Sequence, residues 1–324
     1  MPELSVIIVH HNTPTDLDVC LESLYHFTKG LSFEVIVVDN ASTVPGIHEV
    51  IAKYPDVVFV RAGANLGFAK GCNLAAGMAK GEYLALLNPD AYVVEDTLTK
   101  TVCFMKRNAI ELCGPRTTSA AGASHHYEVR FPTVPDFLMA AFRIDIAYVK
   151  NRIAGRAFRG VRVSEEVSEV DWVPGAALFI SSALWRQLDG MDERIFLFGE
   201  DLDLCWRAKA GGTRVIVYEG APLVHHYGRS ATQNLARRIV ATHAGKAYVI
   251  NKHYGPGYSM LFLAAMLGTA IAKMMLFAMW AICSKRVDVV SRRDGYAWCT
   301  WHLLRSRGAD LPSLLATRPK WVRG

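Results

Sequence analysis

The 324-residue chain carries 36 Lys and Arg against 30 Asp and Glu, with 51% hydrophobic and 20% charged residues. This composition excludes disorder and fibrous repeats, and the length allows one large α/β domain with additions or two small ones. The excess of +6 lies in residues 285–324, where nine basic residues face three acids (Asp288, Asp294, Asp310), so residues 1–284 are formally neutral and a nucleic-acid-binding body is disfavoured.

Met1-Pro2-Glu3-Leu4 shows neither a basic n-region nor a secretory apolar run, so folding is expected to begin in the cytoplasm. Seven scattered cysteines with no CxxC pair fit a reducing compartment and mostly buried thiols. Leu4–Val9 reads as a strand buried on both faces, and Thr13-Pro14 opens a helix with Leu17, Leu21 and Leu24 at helical spacing. Phe33–Val38 and Val57–Val60 are expected as further strands, Phe68–Ala79 as a helix, and Tyr83–Leu87 as a fourth strand. This alternation predicts right-handed βαβ units and an open parallel sheet, with ligands at the carboxyl ends of its strands. Asn12, Asp39 and Asp90 each follow a strand and so are expected to share one edge.

Residues 117–168 lack strong strands, and Arg143–Arg162 holds six basic residues and one acid. The region reads either as an insertion or mobile loop beside the site or as a solvated basic helix face. Strand and helix patterns return from Val170 to about Gly228, followed by helical sequence from about Thr232 to His253. Tyr258–Cys283 is almost wholly apolar, with Lys273 its only charge. It is long enough to span a bilayer, although a central lysine costs roughly 3 kcal/mol on insertion scales. Two short interfacial helices, Ser259–Ala272 and Met274–Cys283, or a buried core hairpin suit it as well. The basic cluster beyond it (Lys285, Arg286, Arg292, Arg293) suits anionic headgroups.

No GxGxxG, GxxxxGK[ST], HExxH or GxSxG occurs, so dinucleotide and P-loop chemistry have no motif support. Asp39 could accept hydrogen bonds from a nucleobase or ribose, or serve as a turn residue. Asp90, in Asn88-Pro89-Asp90, could hold a divalent cation bridging a diphosphate, or simply close a turn. Gly199-Glu200-Asp201-Leu202-Asp203 places three acids at a helix start directly after Phe196-Leu197-Phe198. The helix dipole and an Asp203–Arg207 pair account for part of this, while an apolar setting could raise one carboxylate's pKa and suit a general base. His225 or His226 could complete a metal site with Asp90.

Taken together and in order, Ser5–Asn12, Val37–Ser42, Asn65–Asn73, Leu86–Asp90, Trp172–Ala176, Gly199–Cys205 and His225–Gly228 resemble the family 2 glycosyltransferases, in particular the bacterial rhamnosyltransferase-like branch, over residues 4–250. The resemblance implies a GT-A fold: a Rossmann-like, mostly parallel sheet flanked by helices over residues 1–250, followed by a helical, membrane-associating extension over 251–324. It implies a nucleoside-diphosphate-sugar donor (dTDP-rhamnose being the branch's example), inversion at the anomeric carbon and a Mg2+ or Mn2+ cofactor. Asp39 would contact base or ribose, and Asn12 would lie near the nucleotide. Asp90 matches the last carboxylate of the DXD metal motif, whose first position is Asn88 here, and His225 matches the histidine that meets metal or diphosphate better than His226 does. Phosphate charge could be shared with a basic side chain from 143–162. Asp201 matches the acceptor-deprotonating base, with Glu200 beside it and Asp203 orienting the region. Trp172 and Gly175, in Trp172–Ala176, would line the acceptor side of the sugar pocket. The expected acceptor is a lipid-linked glycan in cell-surface polysaccharide synthesis, at the cytoplasmic face of the membrane. A nucleotidyltransferase would lack support from the Gly-Glu-Asp segment, and the intact acids argue against a non-catalytic binding module.

Overall fold

The computed structural model describes residues 1–119, 130–141, 161–164, 166–226, 235–283 and 286–305. Most of the basic run 143–162, together with Tyr227, Gly228, Lys285 and the tail past Arg305, lies outside the described residues. The chain divides into two compact units.

The first unit comprises residues 1–130, 159–193 and 200–230. Its strands are β1 (Leu4–His10), β2 (Phe33–Asp39), β3 (Val58–Arg61), β4 (Tyr83–Leu87), β5 (Ala91–Val93), β6 (Leu112–Thr118), β7 (Val161–Arg162), β8 (Val167–Val170), β9 (Ala177–Ser181) and β10 (Val215–His225). They form one sheet in the order β3-β2-β1-β4-β9-β6-β10-β8-β7, with β5 pairing β10. The parallel sheet expected from the sequence is there as β3-β2-β1-β4. It continues through β9, which is antiparallel to both β4 and β6, and β6 in turn runs parallel to β10. β4, β6 and β10 therefore all point the same way, and their carboxyl ends meet at one edge.

Period-2 alternation divides the core. Leu4, Val6 and Ile8 join Val35, Val37, Ala85 and Leu87 on one face, against Leu17, Leu21 and Leu24 of α1 (Pro14–Phe27), Ile47 and Val50 of α2 (Ile47–Lys53) and Leu98 and Val102 of α4 (Thr97–Asn108). Ile7 and Val9 join Ile36, Val38 and Leu86 on the other, against Ala69, Cys72 and Ala75 of α3 (Phe68–Ala76), Leu184 and Trp185 of α6 (Ser182–Gln187) and Leu204, Cys205 and Ala208 of α7 (Glu200–Ala210). Burial of both faces explains why these strands read as continuous apolar runs. No cysteine is paired, and five of the seven are buried.

The second unit comprises residues 131–158, 194–199 and 231–324. It holds α5 (Val134–Ala141), α8 (Leu235–His253), α9 (Pro256–Cys283) and α10 (Val287–Arg305). Ile239, Val240 and Ala244 of α8 pack with Phe262 and Met266 of α9 and Tyr296 and Trp298 of α10. The sequence places a boundary at 250, whereas the first compact unit runs to Ser230 and α8 packs with the helices that follow it.

The two short helices expected across 259–283 are one continuous helix, α9. Lys273 lies within it as a residue that favours helix, and its ammonium sits 5.3 Å from the Tyr296 ring centre in a cation–π contact. Phe196, Leu197 and Phe198 pack on the same helical core. Phe198 and Gly199 have positive φ values of 66° and 106°, and this turn lies directly on α8. A Cβ at Gly245 would stand 1.7 Å from the Phe198 carbonyl oxygen.

Gly245→Ala should therefore lower stability by about 1–3 kcal/mol, as overpacking against a fixed backbone does. Gly268→Ala on the exposed face of α9, where an added Cβ meets nothing within 4 Å, should leave it unchanged or slightly raised. Thermal-unfolding midpoints of the two variants compare them directly, and equal midpoints would contradict the close approach.

Candidate active site

Three clusters form at the carboxyl ends of the strands. The first joins β1 and β2, where His10 pairs in register with Asp39. Asp39 is buried; its Oδ1 accepts from the Ser42 N–H at 3.1 Å and lies 3.5 Å from His10 Nδ1. Arg61 approaches Oδ2 at 3.7 Å from a solvated position, so that pair contributes little. His10 is fully buried, and its Nε2 accepts the Thr13 N–H at 3.1 Å. Its proton accordingly sits on Nδ1, facing Ser42 Oγ at 3.2 Å and Asp39. Burial lowers the His10 pKa against the opposing pull of Asp39, so the ring is neutral at pH 7.

Asn12 joins this cluster at φ 59°, with its N–H on Ser42 Oγ and its Oδ1 accepting from the Thr43 and Val44 N–H groups at 2.7 and 3.2 Å. The buried Asn40 does the same for the next loop: its Oδ1 accepts from the Leu66 N–H and its Nδ2 donates to Asn65 Oδ1 and the Gly67 carbonyl.

The second cluster forms because β5 turns back after β4 and pairs Ala91 with His225 at the end of β10. Asp90 and His225 are both buried, and Asp90 Oδ1 lies 3.1 Å from His225 Nε2. Asn88 Nδ2 lies 3.5 Å from the same nitrogen. Of the two histidines, His225 is the one whose ring meets Asp90; the His226 N–H donates to the Asp90 carbonyl, and its ring lies 5.2 Å from that of Tyr92.

The third cluster sits at the start of α7. Asp201 Oδ2 accepts the Gly175 N–H at 2.8 Å, and Oδ1 accepts the Leu202 N–H at 2.7 Å. A Cβ at Gly175 would come within 3.1 Å of the Phe68 ring and 3.6 Å of the Asp201 Cβ, so the backbone approaches the acid as closely as glycine allows. Two backbone donors at a helix N-terminus favour negative charge on this carboxylate. Glu200 beside it is buried, and its Oε2 has no hydrogen-bond partner. Burial, and then the charge of Asp201, push its pKa well up, toward the protonated form. The two adjacent acids thus sit in opposite settings, one met by backbone donors and one buried without them.

Asp203 faces away from this chemistry. It is fully buried on Arg207 Nε at 2.8 Å, while the same guanidinium donates to the Leu188 and Gly190 carbonyls. Trp172 gives its indole N–H to the Arg130 carbonyl at 3.1 Å. The Asn88 N–H donates to the Ala176 carbonyl at 3.0 Å, which ties the second cluster to the loop that holds Asp201. Asn12 and Asp39 form a cluster of their own. His10, Asn40 and Ser42 sit inside conspicuous sequence motifs, but their positioning roles depend on bonds across 25 to 32 residues of chain.

Among the described residues no three His, Cys, Asp or Glu side chains gather as a metal site. Asp90 and His225 offer one carboxylate oxygen and one imidazole nitrogen. That donor set fits a divalent ion whose remaining ligands come from a diphosphate and water.

The sheet and its polar edge define a nucleotide-dependent α/β fold of the GT-A kind. Residues 5–161 match the family model described as Glycosyl transferase family 2. The chain is 27% identical over 239 residues to the rhamnosyltransferase WbbL of Escherichia coli K12, covering 69% of this chain and 85% of that one. It is 24% identical over 268 residues to an N-acetylglucosaminyl-diphospho-decaprenol L-rhamnosyltransferase of Mycobacterium tuberculosis H37Rv, covering 78% and 85%. Its fold resembles that of the mannosyltransferase PcManGT from Pyrobaculum calidifontis, solved in complex with GDP-Man and Mn2+, at a TM-score of 0.52 and 17% identity over 98% of this chain and 88% of that one. Over residues 5–161 the chain is similar to the family 2 glycosyltransferases, and with these relatives the match supports an enzyme of the glycosyltransferase class that is rhamnosyltransferase-like.

The buried Glu200 makes stability depend on pH. Its folded-state pKa lies above the unfolded value, so its contribution is full below the ordinary Glu pKa of 4.5 and is lost as pH rises toward the folded value. Glu200→Gln keeps the neutral shape without the proton and should flatten this part of the curve. The difference in unfolding midpoint, variant minus wild type, should rise with pH above 4.5, and a difference that stays constant would show that Glu200 is ionised.

Proposed function

We propose that this enzyme moves a sugar, rhamnose in the first instance, from a nucleoside-diphosphate-sugar to a hydroxyl of a lipid-linked glycan, with inversion, in the synthesis of a cell-surface polysaccharide. The observation that carries this reading is the Asp201–Glu200 pair: one carboxylate cradled by two backbone N–H groups beside another that is buried with an unpartnered oxygen. The names of the two rhamnosyltransferase relatives support the sugar, and the diphospho-decaprenol substrate named for one of them supports the lipid carrier.

Asp39, held by Ser42 and His10, is aimed at base or ribose, and Asn12 shapes the loop beside it. Trp172 and Gly175 line the acceptor side of the sugar site. The acceptor hydroxyl gives its proton to Asp201 as its oxygen bonds to the anomeric carbon. The bond from that carbon to the diphosphate breaks, its electron pair leaves on the phosphate oxygen, and a single displacement inverts the centre. Asp90 and His225, with Asn88 beside them, would hold a Mg2+ or Mn2+ ion, whose charge favours departure of the diphosphate. The Mn2+ bound by the mannosyltransferase of like fold supports a divalent metal here.

Asp201→Asn should reduce transfer about 10²- to 10⁴-fold while nucleotide binding survives, measured by nucleoside-diphosphate release and by calorimetry. Near-wild-type turnover in that variant would sink the base assignment.

The same reading seats the enzyme on the cytoplasmic face of the membrane. α9 is long and apolar enough to cross a bilayer, but one face packs on α8 and α10 and Lys273 turns toward Tyr296. The opposite face exposes Met260, Leu261, Met275, Leu276, Met279 and Ile282 at helical spacing. A helix with one packed and one bare apolar face suits the bilayer interface better than a span. The Arg286 side chain, 70% exposed just past this stripe, suits anionic headgroups. Changing Leu261, Met279 and Ile282 together to Glu should release the protein from vesicles of phosphatidylglycerol and phosphatidylethanolamine in a flotation assay, with nucleotide binding intact. Continued flotation of the triple variant would point to another anchor.

A further inference from the structure

We propose that Arg116 is the residue that receives a diphosphate group of the incoming substrate. Arg116 lies in the carboxyl-terminal half of β6, the half that faces the edge where Asp90 and His225 meet. It is half-buried, its Nε is closed off from solvent, and that N–H donates to nothing. Among the described residues the guanidinium has no hydrogen bond and no ion pair. A guanidinium N–H closed off from water and left without an acceptor is unfavourable, and the group is well placed to take one that arrives from outside.

Its surroundings make the missing partner specific. Gly114, two residues earlier on the same strand and so on the same face, lies against Val173: a Cβ there would sit 3.0 Å from the Val173 side chain. Arg116 is therefore about 7 Å further toward the edge on the side of the Trp172–Ala176 loop that holds Asp201. Across from it β10 leaves its register, since Pro115 pairs with Tyr218 and Thr117 with Leu223, and the intervening residues bulge away. Four carboxyl groups (Asp39, Asp90, Glu200 and Asp201) serve this edge, and each has another explanation for its setting. None has captured the arginine.

A planar guanidinium with free N–H groups matches phosphate oxygens in a way a lysine does not. This rests on the transfer reading above, in which a diphosphate belongs to the donor and, for a lipid-linked acceptor, to the acceptor as well. The shared chemistry is a diphosphate. Arg116 would add to Asp90 and His225 the positive charge that the replacement of a second carboxylate by Asn88 leaves to be supplied from elsewhere.

The test uses the full chain in detergent, as wild type, Arg116→Lys and Arg116→Gln. Calorimetry with pyrophosphate, UDP, dTDP and GDP, and with uridine and thymidine as uncharged controls, reads the donor side. Transfer kinetics with a lipid-diphosphate glycan and with a phosphate-free glycoside read the acceptor side. If Arg116 meets the donor, Arg116→Gln weakens diphosphate binding about ten- to a hundredfold, Arg116→Lys weakens it less, and nucleoside binding does not move. If it meets the acceptor, diphosphate binding holds while KM for the lipid-diphosphate acceptor rises by about the same factor and KM for the phosphate-free one does not. Folded variants that move neither readout overturn the proposal, as does loss of folding in both, which would make Arg116 structural. A wild-type protein that binds no diphosphate and transfers nothing would instead overturn the transfer reading, and this assignment with it.

Discussion

Asp201 can sit where it does only because the Gly175 backbone comes close enough to give it an N–H, and much of the active-site edge follows from that bond. The Trp172–Ala176 loop carries Gly175, and the Ala176 carbonyl in turn takes the Asn88 N–H at the end of β4. The same loop leads into β9, the antiparallel strand that joins the parallel half of the sheet to β6 and β10. One short segment thus ties the acid at the head of α7 to the strand ends that carry Asp90 and His225. Displacing it would unsettle two clusters together.

Around that bond the edge obeys a single electrostatic rule. Each acid at this edge is set by the donors that meet it. Asp39 has the Ser42 N–H and a neutral His10, Asp90 has His225, and Asp201 has two backbone amides. Glu200 is buried with one oxygen unpartnered, and its pKa is pushed up. Asp203, two residues from Asp201, is paired with Arg207. Three acids in four positions of sequence therefore have three different settings.

The second unit gives the +6 charge excess a setting, since Arg286, Arg292, Arg293 and Arg305 all belong to it. Arg292 and Arg305 are drawn over the rings of Phe277 and Trp301, whereas Arg286 reaches into solvent next to the bare face of α9. Part of the basic cluster is thus spent on packing, and the exposed Arg286 also pairs with Asp288 at 3.1 Å.

The first four strands and the residues that close them were legible in the chain because doubly buried strands need unbroken apolar runs and helices need their own period. The motif series also carried the family. What remained illegible was every relation that joins distant segments. The approach of His225 rather than His226 to Asp90 follows from the pairing of β5 with β10, and the partner of the Lys273 ammonium is Tyr296 of another helix. The apolar run before the acids pointed to one raised pKa, but that the rise falls on Glu200 follows from its burial in the fold. Arg116 carried no signal at all, for an arginine near the end of a strand is unremarkable until its neighbours prove to offer it nothing. Sequence alone determined which chemical groups reach the sheet edge, because local periodicity sets where strands end. Only the tertiary structure decided which groups ionise and which stand unpaired, because charge and hydrogen bonding depend on distance in space.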